Sequence, residues 1–140
     1  MSTLIAIDPG GKESGFACFT GGVLIEAGLA GESQMEYRID LGTYYEVVVE
    51  KMAVYAPRLY AAKALIDLSI LAGRFRPTHM YTYREWAGNL KDTQIFARAL
   101  ARLSEDEKAV LPKRLGKHKD VLAAVGIGLY HLGRLRREKK

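Results

Sequence analysis

Apolar positions along the chain fall into short unbroken runs and longer periodic stretches. Residues 4–7, Leu-Ile-Ala-Ile, form a continuous run that stops at Asp8-Pro9-Gly10-Gly11. This is the pattern of a central strand covered on both faces. Residues 16–20 and 23–28 flank Gly21-Gly22, which predicts a hairpin. "YEVVVEKMAVY" holds the densest β-branched run and predicts a second buried strand, which also finishes on a carboxylate, Glu50. "THMYTY" reads as the last strand. Between them, residues 31–44 are ambiguous: Met35 and Ile39 share a helical face, but Gly42 and the tyrosines cut it short.

The longer stretches are helical. "PRLYAAKALIDLSILAGRF" places Pro57 in a first-turn position and Gly73 at the stop. Leu59, Ala62, Ile66 and Ile70 make its apolar stripe, with Lys63 and Asp67 as an i,i+4 pair outside it. From Asp92, the set Ile95, Phe96, Ala99, Leu100 and Leu103 predicts another amphipathic helix. "SEDE" at 104–107 is a capping box for a short turn that Pro112 limits. In "DVLAAVGIGLYHLGRL", Val121, Leu122, Val125, Leu129 and Leu132 form the buried side. Ala123, Ala124, Gly126 and Gly128 leave little bulk, so this helix can lie close to a sheet. A hairpin followed by β-α-β alternation predicts an α/β fold with a mixed sheet, antiparallel strands first and parallel ones after, covered by helices on both faces.

Composition narrows the class. The 140 residues suit one domain, 1–140, and no internal repeat or low-complexity linker divides it. No window approaches the ~20 apolar residues of a membrane span, and no secretory leader pattern opens the chain. Cys18 is the sole cysteine, which excludes an internal disulfide and a thiolate metal site and points to a reducing, cytoplasmic setting. A net charge of +5 and a pI near 9.3 favour a polyanionic partner such as nucleic acid.

Ligand sites in open α/β sheets lie outside the carboxyl ends of the strands. Asp8 and Glu50 both stand at such ends, and Asp120 opens the helix that can approach the sheet. Two parallel neighbouring strands would set Asp8 and Glu50 side by side, where one would stay protonated unless a cation joined them. Three oxygen donors suit magnesium or manganese rather than zinc. Each residue also has an ordinary reading: Asp8 as a turn residue, Glu50 as the partner of Lys51 or an arginine, Asp120 as a helix N-cap. Their joint placement favours the metal.

"IAIDPGGKESGFACF", "VVVEKM" and "DVLAAVGIGLYHL", in that order, resemble the corresponding segments of RuvC-type Holliday-junction resolvases in the ribonuclease H-like superfamily. The resemblance spans most of the chain and suggests a compact, phage-type form. It implies a five-stranded mixed sheet, three antiparallel then two parallel strands, and a homodimer that cuts four-way DNA. It implies two magnesium or manganese ions held by Asp8, Glu50 and Asp120, about 4 Å apart. "NLKDTQ" resembles the segment whose lysine contacts the scissile phosphate, which makes Lys91 that residue. Departures accompany these matches. Lys117 stands where the family has a fourth ligand, leaving His118 as a ligand or proton-transfer residue, or else an exposed histidine among lysines. Ala53 stands at the aromatic wedge position, with Met52 and Tyr55 nearby.

The reading that follows is a metal-dependent endodeoxyribonuclease resolving branched DNA, leaving 5′-phosphate and 3′-hydroxyl ends. Lys12, Lys91, Lys113, Arg114, Lys117 and Lys119 would contact DNA, as would the basic end, Arg134, Arg136, Arg137, Lys139 and Lys140; a solvated face is the ordinary alternative. The helix over 58–72 is the expected dimer interface by the same analogy. A YqgF-like nuclease acting on RNA and a non-catalytic nucleic-acid-binding module are the rival readings. Trp86 is expected to pack, or to stack on a base. Cys18 is expected to fill a core position, and His79 and His131, without partners at metal spacing, to be structural.

Overall fold

A computed structural model describes residues 2–42, 44, 46–51, 59–113 and 119–135. The elements run β1 (Thr3–Asp8), β2 (Ser14–Thr20), β3 (Val23–Ala30), α1 (Glu32–Leu41), β4 (Glu46–Glu50), α2 (Leu59–Arg74), β5 (His79–Tyr81), α3 (Tyr83–Ala87), α4 (Asp92–Ala101), α5 (Glu105–Ala109) and α6 (Lys119–His131). One five-stranded sheet has the order β3-β2-β1-β4-β5. β1 pairs antiparallel with β2 and parallel with β4, and β4 pairs parallel with β5. This is the mixed sheet expected from the chain pattern.

Local chemistry explains the joins. The β2–β3 turn places Gly21 at φ 57° and Gly22 at φ 81°, the two left-handed positions of a tight hairpin. Thr78 fixes β5 to β4: its hydroxyl accepts from the Val47 N–H at 3.0 Å and donates to the Val47 carbonyl at 3.1 Å. Within the ambiguous 31–44 segment, Glu32–Leu41 forms a true helix, with Met35 on its inner face fully buried against the sheet.

Apolar side chains lie on both faces. One cluster joins Ala6, Ala17, Phe19 and Val48 to Trp86, Ile95 and the inner residues of α6. The other joins Ile5, Ile7, Phe16, Cys18, Val47 and Val49 to Met35, Ala72 and Phe75. Cys18 is buried as expected, its Sγ 3.3 Å from the Tyr44 hydroxyl. α6 is buried along its whole length from Val121 to Leu129 rather than on one side only, because α4 and α3 cover the surface that the sheet does not. On α2, Ile66 and Ile70 of the apolar stripe are 58% and 53% exposed, so they face away from both clusters.

Arg134 is another correction. It is half-buried and held within the fold rather than free in a basic tail. Its guanidinium donates to both carboxylate oxygens of Glu107, at 2.8 and 2.7 Å, and to the carbonyls of Gly22 and Arg102. Glu107 also accepts from the backbone N–H groups of Leu24 and Ser104, while the Ser104 hydroxyl accepts from the Glu107 N–H. The capping glutamate thus ties α5, the hairpin and the segment after α6 together. Arg136, Arg137, Lys139 and Lys140 lie outside the described residues.

These contacts, led by Arg134, depress the Glu107 carboxyl from 4.5 to about 2. A depressed acid stabilises the fold above its ordinary pKa and loses that contribution as pH falls through its folded value. The contribution is about 3 kcal/mol at neutral pH. Glu107→Gln is expected to lower the urea-unfolding free energy at pH 7 by a comparable amount, with the gap from wild type closing between pH 4.5 and pH 2. An equal gap at both ends of that range would refute the assignment.

Candidate active site

The register places the first two acids. Ile7 pairs with Val49 in the parallel β1–β4 ladder, so the next residues, Asp8 and Glu50, end adjacent strands on one face. Both are buried. Asp120 reaches them through a gap in β2. Asp8 lies opposite Gly15 in the β1–β2 pairing. A Cβ on Gly15 would fall 2.0 Å from the Asp120 carbonyl oxygen. Only the missing side chain lets the first turn of α6 settle there. Gly10 belongs to the same packing, since its Cβ would lie 2.1 Å from the Glu13 carbonyl and 3.5 Å from Asp120 Oδ2.

The electrostatics follow from this convergence. Burial, then the charges of Glu50 and Asp120, then hydrogen bonds to both, push the Asp8 carboxyl from 3.8 up to about 10. Every one of these influences acts in the same direction. Glu50 is also raised, chiefly by burial and further by the charges of Asp120 and Asp92; hydrogen bonds from Trp86 and Asp8 oppose the shift. Asp8 touches both other carboxylates, while Glu50 and Asp120 meet through charge, so Asp8 is the middle of the three. The donor set is entirely hard oxygen, carrying charge that the surrounding protein makes costly. It fits divalent magnesium or manganese.

Trp86 does more than pack. Its indole N–H donates to Glu50 Oε1 at 2.8 Å. Its ring fills the space that Gly126 leaves, where a Cβ would sit 2.5 Å from Cζ3, and meets Tyr83 edge-on at 5.3 Å. Sequence reading missed this role. The available signal was a tryptophan just after a strand, opposite a helix with glycine at the contact. Asp92 was missed too; Tyr83 donates to it at 2.9 Å, and its charge reaches Glu50.

Other candidate residues are more dispersed. Lys91 is exposed at the N-cap of α4, next to Asp92. Lys12 is exposed in the β1–β2 loop, Lys119 at the start of α6, and Lys113 beyond α5. Arg114, Lys117 and His118 lie outside the described residues, as do Met52, Ala53 and Tyr55. Asp120 lies in the first turn of α6 rather than at its cap.

His79 and His131 overturn the expectation that they lack partners. With Glu46 they form, among the described residues, a group whose candidate donor atoms all lie within 4.8 Å of one another. This group stands at the opposite end of β4 from Glu50.

No protein-family model matches the chain, and no curated protein matches its sequence. Solved structures do match. RuvC of Thermus thermophilus superposes at TM-score 0.53 with 16% identity, covering 93% of each chain. The T. thermophilus RuvC complex with a Holliday-junction substrate gives 0.60 and 15%, covering 94% of this chain and 93% of that one. The fowlpox virus Holliday-junction resolvase gives 0.54 and 15%, covering 94% and 98%. The fold is ribonuclease H-like. It is the RuvC-type resolvase fold.

The raised Asp8 pKa has a thermodynamic consequence. The folded chain keeps a proton that the unfolded chain releases, so metal-free stability falls as pH climbs from 3.8 toward about 10. Asp8→Asn removes the crowded charge. The metal-free variant is expected to melt roughly 5 °C above metal-free wild type at pH 8, with the difference vanishing below pH 4. A lower melting temperature at pH 8 would contradict the crowding.

Proposed function

We propose that this protein is a metal-dependent endonuclease that cuts four-way or branched DNA. The observation carrying the reading is the convergence of Asp8, Glu50 and Asp120 at the carboxyl edge of β1 and β4 on a resolvase fold. Asp8, Glu50 and Asp120 would hold magnesium or manganese, with His118 as a further ligand or proton carrier. Such cations supply an activated water and neutralise charge on the scissile phosphate.

The chain's own residues prepare that chemistry. Gly15 and Gly10 admit Asp120, Trp86 orients Glu50, and burial of Asp8 keeps the local dielectric low, which strengthens each charge interaction. Lys91 would oppose the negative charge that builds on the phosphate. Lys12, Lys113 and Lys119, with Arg114 and Lys117, would track the DNA backbone and make affinity steeply salt-dependent.

Paired cutting of a junction requires two sites related by two-fold symmetry. The exposed Ile66 and Ile70, one turn apart on α2, support that helix as the dimer face. Ile66→Glu is expected to convert a dimer to a monomer in light scattering at micromolar concentration. A wild-type monomer, on DNA and off it, would count against paired cutting.

The activity test uses four-way DNA, linear duplex and RNA with magnesium or manganese. Branched DNA should be cut. Asp8→Asn should lose roughly 10³-fold or more in rate while retaining binding. Cleavage confined to RNA would move the assignment to a YqgF-like nuclease. Binding without cleavage under either metal would leave a nucleic-acid-binding module.

A further inference from the structure

Glu46, His79 and His131 come from three elements that meet at one point. Glu46 is the first residue of β4, His79 the first of β5 and His131 the last of α6. Alternation along β4 puts Glu46 on the same face as Val48 and Glu50, and His79 pairs with Val48, so both project to the side that α6 covers. Glu46 Oε2 is hydrogen-bonded to His131 Nε2 and lies 3.7 Å from His79 Nδ1. The two imidazole rings stand 4.6 Å apart, centroid to centroid.

A surface ion pair would need only one of these histidines. Here His79 Nδ1 is too far from Glu46 for a hydrogen bond, yet it is directed into the same small space. Its contact is the Thr78 hydroxyl at 3.1 Å; because that hydroxyl's proton is directed to the Val47 carbonyl, Nδ1 donates here in the metal-free protein and would exchange its proton for the ion. His131 is held from behind: its Nδ1 meets the Tyr81 hydroxyl at 2.7 Å, which turns Nε2 toward Glu46. Ligating histidines characteristically carry such a partner on the second nitrogen.

We propose that Glu46, His79 and His131 form a zinc-class divalent metal site that fastens the C-terminal end of α6 to β4 and β5. Two imidazoles and one carboxylate suit zinc, whose bonds of about 2.0–2.2 Å place neighbouring donors roughly 3.4 Å apart. The observed donors, all within 4.8 Å of one another, already stand near that spacing. His131 is 13% exposed, Glu46 36% and His79 46%, so water completes the coordination on the open side. The site is separate from the acidic cluster. Four residue steps along β4 carry Glu46 to Glu50, about 13 Å, too far for an ion here to reach a phosphate at Asp8. The proposal therefore stands whether or not the chain is a nuclease.

The test is zinc titration of chelator-stripped protein by calorimetry, in the Asp8→Asn background to silence the carboxylate site. One zinc per chain is expected, with a higher melting temperature that magnesium does not reproduce. His79→Ala, at the exposed rim where folding is least at risk, should weaken zinc affinity at least tenfold. Glu46→Gln and His131→Gln should do the same. With cobalt substituted for zinc, the visible absorption of a four-coordinate ion should appear and vanish in His79→Ala. The proposal fails if no zinc binds, or if affinity and cobalt spectrum are unchanged by His79→Ala.

Discussion

The contact between α6 and the sheet carries the architecture of this molecule. At Gly15 the helix backbone comes so near β2 that a methyl group would overlap the Asp120 carbonyl. At Gly128 a Cβ would sit 2.2 Å from the Phe19 ring, and at Gly126 2.5 Å from Trp86. Small residues on the helix are needed where it meets large neighbours, and a small residue on the strand where its first turn arrives. Loosening that contact would withdraw Asp120 from Asp8 and, through Trp86, disturb Glu50. Packing density and carboxylate placement are one problem here rather than two.

The same seam has a polar cluster at each end and an apolar middle. Three valines of β4 separate Glu46 from Glu50, and Val121 to Leu129 of α6 lie buried beside them. Within that stretch no side chain needs a polar partner, so burial can be complete. At the Asp8 end, carboxylates sit where burial makes charge expensive. The crowding there is among acids, which oppose one another. At the other, Glu46 faces imidazoles, which can share a proton or a cation with it.

The opposite face of the sheet has a different character. α1 and the end of α2 bury Met35, Ala72 and Phe75 against β1, β2 and β4, while Ile66 and Ile70 remain in solvent. Arg38 is held there by a bidentate ion pair with Glu26, at 2.8 and 2.9 Å, and lies over the Phe16 ring. Arg38 and Arg134 are thus both paired with carboxylates within the fold.

Runs of apolar residues were enough to define the strands, most helices and the mixed sheet, because periodicity and turn chemistry act within a few residues of one another. Asp8, Glu50 and Asp120 were legible for a related reason: each ends or begins an element, and element ends in such sheets gather at one edge. Ile66 and Ile70 made a stripe, but a stripe does not say which surface covers it. Trp86 on Glu50, Arg134 on Glu107, and the meeting of Glu46, His79 and His131 join residues 27 to 85 positions apart. Such partners are chosen by strand register and by the distance at which α6 packs, and neither leaves a local trace in the chain. The sequence by itself determined the elements and their acidic ends; the tertiary structure alone decided which polar groups share a space, because that depends on how closely surfaces approach.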